Sequence, residues 1–149
     1  MAKIRITKEF RFEASHALWN YDGLCKNIHG HSYILQVTVV GEPILDENNP
    51  KFGMVMDFGD LKRIAKEEVV DILDHSLIIN RKAFHKGFEN IEQMFDRFHL
   101  VDYQPTCENM VVDFAKKIGS RLSSDIHLYS IKLNETATSF AEWFAIDNL

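Results

Sequence analysis

A cysteine and two histidines lie close together in the stretch CKNIHGH at positions 25–31. Thiol and imidazole groups are common zinc ligands, and they also transfer protons near neutral pH. His29 and His31 are separated by one residue, so on a β-strand both side chains point to the same face. At a rise of about 3.3 Å per residue, their Cα atoms lie about 6.6 Å apart. Imidazoles at that spacing can reach one ion at N–metal distances of about 2.0–2.1 Å, so the stretch predicts a metal site or a proton-transfer site.

A third histidine, His16, is in phase with a predicted strand over residues 3–14. Alternating apolar and polar residues are typical of a half-buried antiparallel strand, and the apolar positions here are Ile4, Ile6, Phe10, Phe12 and Ala14. His16 has the same parity as these residues and therefore faces the same side. If this strand pairs with the next one through the turn 17–28, three imidazoles converge and leave a fourth tetrahedral zinc position for water or substrate. The alternative is that the histidines occupy ordinary core or surface positions.

The role of Cys25 is open from spacing alone. A fourth metal ligand at Cys25 would give a closed structural site, whereas a Cys25 that does not bind the metal would be a competent base, because a neighbouring cation favours the thiolate. The other cysteine, Cys107, lies near a predicted helix start, and we expect it to have a packing role. The two cysteines could pair, but two in a chain without a secretory signal indicate reduced thiols.

Composition limits the classes of function. The 149 residues are 46% hydrophobic, which predicts one globular domain over residues 1–149. A net charge of −5 and the lack of a dense basic patch argue against a nucleic-acid partner, but a small phosphorylated substrate stays compatible with a few local cations. The sequence contains no apolar run of about 18 residues and no apolar block at the N-terminus, so we expect no membrane span and a cytoplasmic location.

The remaining elements that must position these residues alternate between strand and helix patterns. Asp57 is a predicted N-cap for a helix over residues 58–73, and Thr106 is the predicted cap of a second helix. Further strands are predicted over residues 31–40, 126–134 and 139–147, and the stretch MVMDF could be a short returning strand. This order predicts an α+β fold, with two main helices on one face of an antiparallel sheet.

The segment 81–104 fits this plan poorly. Ile91, Met94, Phe95 and Phe98 have helical spacing and predict a short amphipathic helix. Its aromatic content suggests a subunit contact. The alternative is a loop that packs on the core of its own chain.

The sequence resembles the 6-pyruvoyltetrahydropterin synthase family. The resemblance covers nearly the whole chain, because the matching motifs run in the family's order: SH at 15–16, CKNIHGHSY, GMVMDFGDLK, LDH at 73–75, PTCEN at 105–109 and NETATSFAEW at 134–143. It implies a tunnelling fold (T-fold) with a four-stranded antiparallel sheet and two helices on one face. It also implies a homohexamer built from two trimeric rings.

The resemblance further implies roles for individual residues. It implies that Zn²⁺ is the cofactor, and the zinc ligands would be His16, His29 and His31. Cys25 would be the base that abstracts a proton, and Asp74 and His75 would relay protons with it. The pterin substrate would be anchored by Glu135, in a pocket lined by Thr106 and Glu108. Without the resemblance, Asp74 and His75 read as an ordinary pair at a helix end and Glu135 as a solvent-facing turn residue.

The short gap of residues 26–28 between the cysteine and HGH resembles the 6-carboxytetrahydropterin synthase branch of the queuosine pathway. That resemblance implies a zinc-dependent lyase that converts 7,8-dihydroneopterin triphosphate to 6-carboxytetrahydropterin, acetaldehyde and triphosphate. The segment 81–104 is longer than in compact members of that branch. The alternatives are a 6-pyruvoyltetrahydropterin synthase, which eliminates triphosphate without carbon–carbon cleavage, and a non-catalytic paralogue that binds pterin or zinc.

Overall fold

The computed structural model describes residues 1–84 and 90–149. Their strands form one sheet with the order β4-β3-β1-β2-β5-β6. The strands are β1 (Ile4–Ala17), β2 (His29–Gly41), β3 (Ser76–Asn80), β4 (Phe98–Val101), β5 (His127–Asn134) and β6 (Phe140–Phe144). The helices are α1 (Phe58–Ala65), α2 (Asp71–Leu73), α3 (Arg81–Phe84) and α4 (Cys107–Gly119). Within the described ranges, no helix has the length and apolar character needed to cross a membrane.

The two central strands form the longest pairing of the sheet. Strand β1 pairs antiparallel with β2 from Ile4 opposite Gly41 to His16 opposite His29. Burial along β1 alternates: Phe12, Ala14 and His16 are buried, whereas Glu13 is exposed. The predicted strands 3–14 and 31–40 are therefore confirmed, and each extends a few residues further to include the histidines.

The helices α1 and α4 pack on the buried face of these strands. Asp57 caps α1 as predicted, because its side chain accepts a hydrogen bond from the Gly59 N–H at 2.7 Å. A π-helical turn, Lys66–Val70, joins α1 to α2, so the predicted helix 58–73 is continuous but changes its hydrogen-bond pattern midway. Thr106 caps α4, also as predicted. Leu61 of α1 and Phe114 of α4 lie in one core cluster with Phe12 of β1 and Leu35 of β2.

The expectation of a four-stranded antiparallel sheet is wrong. The sheet has six strands and is mixed, because β3 pairs in parallel with β1 and β4 pairs in parallel with β3. All five residues of β3 are buried, so its pattern is continuous rather than alternating. Continuous burial is characteristic of parallel strands and leaves no period-2 signal in a short stretch.

The segment 81–104 also differs from its prediction. Instead of an amphipathic helix, the structure has a 3₁₀ turn at Ile91–Gln93 and then the strand β4, which begins at Phe98. Ile91 packs against Leu77 and Ile79 of β3, so this part of the segment packs on its own chain. Residues 85–89 of the segment lie outside the described residues, and the subunit contact stays a prediction.

Two smaller predictions also differ from the structure. The stretch MVMDF does not form a strand, since both edges of β2 are already occupied by β1 and β5. The Met54 carbonyl instead accepts a hydrogen bond from the Ile44 N–H at 3.0 Å, within the loop after β2. The predicted strand 126–134 is confirmed as β5. The predicted strand 139–147 is shorter, because β6 ends at Phe144 and a 3₁₀ turn, Ala145–Asn148, follows.

Candidate active site

Three histidines meet at one end of the central hairpin. The register places His16 opposite His29 and Ala14 opposite His31, so all three imidazoles project from the same face. Their ring centroids are 4.5–5.1 Å apart, and their ligand atoms all lie within 4.8 Å of one another. The structure thus brings together the three side chains expected from their spacing, and they could hold a metal ion.

The hydrogen bonds of two rings orient their free nitrogens toward each other. The Nδ1–H of His16 donates to the Pro105 carbonyl at 2.7 Å, and the Nδ1–H of His29 donates to the Asn27 carbonyl at 2.8 Å. In neutral rings, both Nε2 atoms then carry lone pairs, and these two atoms are 2.9 Å apart. Facing lone pairs repel unless a cation or a proton lies between them, so the donor set fits a metal ion. Backbone carbonyls that fix the tautomer in this way are a regular feature of histidine metal sites.

The third ring completes the set. His31 Nε2 is buried and has no hydrogen-bond partner among the described residues, although the Glu135 Oε1 atom is 3.4 Å away. We take this contact as an electrostatic one, because its geometry does not meet the requirements of a hydrogen bond. A buried, unpartnered nitrogen costs about 1–3 kcal/mol, and a bound cation would remove that cost.

Burial favours the neutral form of His16 and His31. Burial lowers the pKa of His16, and the charges of His29 and His31 lower it further, whereas the Pro105 carbonyl and Glu135 oppose the shift. Burial also lowers the pKa of His31, against the opposing effect of Glu135. A lowered pKa means that these imidazoles stay unprotonated at neutral pH, which is the form that binds metals.

Glu135 places a carboxylate beside the histidines. It directly follows β5, and its backbone N–H donates to the Ser139 carbonyl at 3.0 Å, closing the turn toward β6. Its side chain is only 25% exposed, so it is not the solvent-facing turn residue of the alternative reading. An accepting carboxylate at the edge of a metal site can bind a ligand that offers adjacent N–H groups.

The start of α4 supports this site through its backbone. The Thr106 hydroxyl accepts a hydrogen bond from the Asn109 N–H at 3.3 Å, and Pro105 before it holds His16. Glu108 is exposed in the first turn of α4. Burial raises the pKa of Cys107 to about 11, so this thiol stays protonated, and it donates to the Leu133 carbonyl at 3.1 Å, as expected for a packing role.

Asp74 and His75 form a second polar group, in the turn between α2 and β3. Asp74 Oδ1 is 3.1 Å from His75 Nδ1 and accepts a hydrogen bond from the Glu13 N–H at 2.9 Å. The bond from Glu13 is the main cause that holds the pKa of Asp74 below its usual range, so this carboxylate is ionised at neutral pH. His75 has a φ of +61°, a left-handed conformation that costs about 1–3 kcal/mol for a residue other than glycine.

His75 borders a cleft of about 750 Å³. Glu13 and Ser15 also line this cleft, and both are at positions of β1 that face the side opposite to His16. His31 also borders the cleft, whereas His16 and His29 are not among the described residues that line it. Within one chain, His75 and His31 therefore border a common cleft, and the described lining of that cleft does not include the buried His16 ring.

Comparison with known proteins identifies the family. The model of the 6-pyruvoyl tetrahydropterin synthase family matches residues 5–145, nearly the whole chain. This protein belongs to the 6-pyruvoyl tetrahydropterin synthase family. A curated 6-carboxy-5,6,7,8-tetrahydropterin synthase from Haemophilus influenzae is 35% identical over 141 residues, which cover 93% of this chain and 97% of that protein. The enzyme of the same name from Aquifex aeolicus is 32% identical over 164 residues, covering 95% of this chain and 98% of that one.

Solved structures agree with this family fold. The 6-pyruvoyl tetrahydropterin synthase of Caenorhabditis elegans superposes with a TM-score of 0.69 at 25% identity, and 97% of each chain is covered. An uncharacterized protein from Wolinella succinogenes superposes with a TM-score of 0.79 at 22% identity, covering 97% of this chain and 99% of that one. These likenesses support the T-fold of the tetrahydropterin synthase family.

In this member of the synthase family, Cys25 lies on a 3₁₀ turn, Leu24–Lys26, just before the histidines. The Cys25 carbonyl accepts a hydrogen bond from the Leu18 N–H at 2.9 Å, and its side chain is partly exposed. Over residues 1–84 and 90–149, the cluster of potential metal ligands contains the three histidines without Cys25. The geometry therefore gives no support to a closed site with a thiolate as fourth ligand.

Sequence reasoning missed the groups that act through the backbone. The carbonyls of Asn27 and Pro105 set the tautomers of His29 and His16, and Arg97 binds the turn that contains Asp74. Asn27 lies two residues before His29, so a local search for carbonyls near the HGH motif could have found it. Arg97 is 23 residues from Asp74, and no local pattern connects them.

Proposed function

We propose that this protein is a zinc-dependent lyase that converts 7,8-dihydroneopterin triphosphate to 6-carboxy-5,6,7,8-tetrahydropterin, with release of acetaldehyde and triphosphate. The observation that carries the proposal is the convergence of three imidazoles beside the Glu135 carboxylate. The relatives named 6-carboxytetrahydropterin synthase and the short gap of residues 26–28 favour this reaction over that of the pyruvoyl enzymes. The proposal places the protein in the queuosine pathway and in the cytoplasm.

The metal would be held by His16, His29 and His31. When bound, Zn²⁺ would supply Lewis-acid stabilisation of the negative charge that develops on the substrate side chain. The protein fixes two of the three rings beforehand, His16 through the Pro105 carbonyl and His29 through the Asn27 carbonyl, so little reorganisation of these rings is needed when substrate arrives.

Cys25 would act as the base that removes a carbon-bound proton from the substrate side chain. Its position on a short turn next to the histidines suits this role, because a nearby cation favours the thiolate. The Asp74 carboxylate would hold the proton of His75 on Nδ1, which leaves Nε2 free to accept or return a proton. The exposed His75 side chain can present that nitrogen to a substrate.

We further propose that the working form is a homohexamer of two trimeric rings. His75 borders a cleft whose described lining does not include His16 or His29, so in the proposed assembly a second copy would bring its Asp74–His75 pair to a substrate held at these histidines. Strands β4 and β6 are the edges of the sheet, and pairing edges between copies would satisfy their backbone groups.

Glu135 would anchor the pterin ring. Replacing it with glutamine is expected to raise the KM for the pterin substrate about tenfold or more, because the ring presents adjacent N–H donors and the amide keeps only one accepting atom. The measurement is steady-state kinetics of the zinc-loaded enzyme. Glu142→Gln, on the exposed side of β6, is the matched control and should leave KM unchanged. An unchanged KM in the Glu135 variant would contradict the anchoring role.

Product identification tests the proposed reaction directly. Zinc-loaded protein is incubated with 7,8-dihydroneopterin triphosphate, and the products are analysed by mass spectrometry together with an acetaldehyde assay. We expect 6-carboxytetrahydropterin and one acetaldehyde for each substrate consumed. Formation of 6-pyruvoyltetrahydropterin without acetaldehyde would reject the carboxy reaction in favour of the pyruvoyl one, and lack of turnover would favour a non-catalytic pterin-binding protein.

A further inference from the structure

Arg97 binds three backbone carbonyls around the turn that carries Asp74 and His75. Its Nε–H donates to the Asp74 carbonyl at 2.9 Å, and its Nη2 donates to the carbonyls of Asp71 at 2.7 Å and Ile72 at 3.1 Å. These carbonyls belong to the end of α2, where a helix has acceptors without partners of its own. The planar guanidinium can satisfy several of them at fixed angles, which a lysine ammonium cannot do.

The contact with Asp74 has a further consequence. The Asp74 carbonyl and the His75 N–H are the two polar atoms of one peptide group. Arg97 holds the carbonyl, and the Glu13 carbonyl accepts a hydrogen bond from the His75 N–H. With both of its polar atoms held, this peptide plane is fixed, and so is the backbone direction from which the His75 imidazole projects.

This restraint acts where the chain is strained. His75 has a φ of +61°, and such a conformation persists in a non-glycine residue only when its surroundings over-determine it. Glu13 supplies two of the restraints, through its carbonyl and through its N–H bond to Asp74 Oδ1. Arg97 supplies the restraint on the other side of the turn.

Arg97 is itself held firmly by the sheet. It directly precedes β4, and its carbonyl accepts a hydrogen bond from the Leu77 N–H of β3 at 3.1 Å. The same stretch, residues 94–97, forms one wall of the cleft that His75 borders. Residues 94–97 of the segment 81–104 thus contact the turn that precedes β3.

We propose that Arg97 is a positioning residue, which fixes the Asp74–His75 peptide so that the imidazole points in the direction needed for proton transfer. This inference rests on the proposed function, because it assigns to Arg97 a part in the relay through His75. It also gives the segment 81–104 a role within the chain.

The first test is structural and needs no substrate. Amide hydrogen exchange is measured at single-residue resolution for the N–H groups of Glu13 and His75, in the unmodified protein and in Arg97→Ala. We expect both amides to exchange at least about tenfold faster in the variant, because the turn that contains Asp74 and His75 becomes mobile and both hydrogen bonds join that turn to Glu13. Arg81→Ala is the matched control: Arg81 belongs to the same segment but pairs with the Asp102 carboxylate at 2.7 Å. Unchanged exchange in Arg97→Ala would overturn the proposal.

The second test is kinetic and separates positioning from simple stabilisation of the helix end. In Arg97→Ala, kcat should fall about 10- to 100-fold and KM should stay within about threefold, because a misplaced group lowers turnover more than binding. Arg97→Lys keeps a positive charge near the end of α2 and should recover thermal stability without recovering kcat. Added guanidinium at millimolar concentration should partly restore kcat in Arg97→Ala.

The outcomes distinguish this inference from the proposed function. If the unmodified protein does not turn over 7,8-dihydroneopterin triphosphate, the proposed function fails, while the exchange experiment still decides whether Arg97 holds the turn. If the substrate is turned over but Arg97→Ala keeps its kcat, or Arg97→Lys restores kcat together with stability, the positioning role is overturned.

Discussion

Replacing His29 with alanine is expected to leave the purified protein without stoichiometric zinc and to abolish measurable turnover. Removing an outer-shell partner of a metal ligand lowers metal affinity about 10- to 100-fold, so losing one of three ligands should exceed that range. His29 is the best of the three for this test, because it is only partly buried at the start of β2, whereas His16 is 2% exposed and hydrogen-bonded to Pro105.

Two measurements check this prediction without relying on activity. Metal content is determined by elemental analysis, and the thermal midpoint is measured with and without a chelator. Binding to the folded state raises stability according to metal concentration and affinity, so a chelator should lower the midpoint of the unmodified protein and not that of His29→Ala. His127→Ala, at an exposed position of β5, is the control and should keep both metal and chelator response. Stoichiometric zinc in His29→Ala would contradict the ligand assignment.

The close approach of His16 and His29 leads to a further prediction, about the stability of the metal-free protein. The Nε2 atoms of His16 and His29 lie 2.9 Å apart, and in the neutral rings neither nitrogen carries a proton for the other. The two lone pairs therefore repel each other until a cation or a proton lies between them. The metal-free His29→Ala variant should be at least as stable as metal-free unmodified protein, which reverses the usual order for a substitution in a site.

The convergence of three histidines could be predicted because it depends on local rules. The side-chain period of a strand is two, so the parity of Phe12 and Ala14 extends to His16, and that of His29 extends to His31. One pairing between consecutive strands then brings the rings together. The same rules predicted the caps Asp57 and Thr106, whose partners lie within three residues along the chain.

The parallel strands could not be predicted in this way. The stretch SLIIN is buried on both faces and is too short to show a period. One of its two neighbours in the sheet is β4, which begins at Phe98, 18 residues beyond Asn80 along the chain. The apolar residues from Ile91 to Phe98 have helical spacing, and this pattern predicts a helix instead of a strand. The same limit applies to the site. Because β3 and β4 are not predicted, the Glu13 bonds to the Asp74–His75 turn and the Arg97 contact cannot be derived from the sequence.

The turn that contains Asp74 and His75 affects the pKa of the Asp74 carboxylate. The Asp74 side chain at the end of α2 is 40% exposed, but it also accepts the Glu13 N–H hydrogen bond, which lowers its pKa. A group whose folded-state pKa is lowered adds stability above its unfolded pKa, and this contribution is lost as pH falls through the folded pKa. The turn is therefore held most firmly at neutral pH, where the proposed enzyme would work.

Replacing Cys25 with alanine is expected to lower kcat about 100- to 10,000-fold while zinc stays bound, since general-base catalysis contributes about that range. Retention of zinc follows from the geometry, because the ligand cluster among the described residues consists of the three histidines. Cys25→Ser should be nearly as inactive, because a hydroxyl is a far weaker acid than a thiol and is not ionised near neutral pH. The measurement is kcat with parallel metal analysis.

The control for Cys25 is the same substitution at the other cysteine. Cys107 is buried, its pKa is raised to about 11, and its thiol donates to the Leu133 carbonyl, so it is not a base at neutral pH. Cys107→Ala should lose some stability through the small cavity it leaves, yet kcat should stay within about threefold. If Cys25→Ala instead lost zinc together with activity, Cys25 would be a metal ligand, and the proton would have to be removed by another group. If it kept both, the relay of Asp74 and His75 would act without a thiolate, and His75 would become the candidate base.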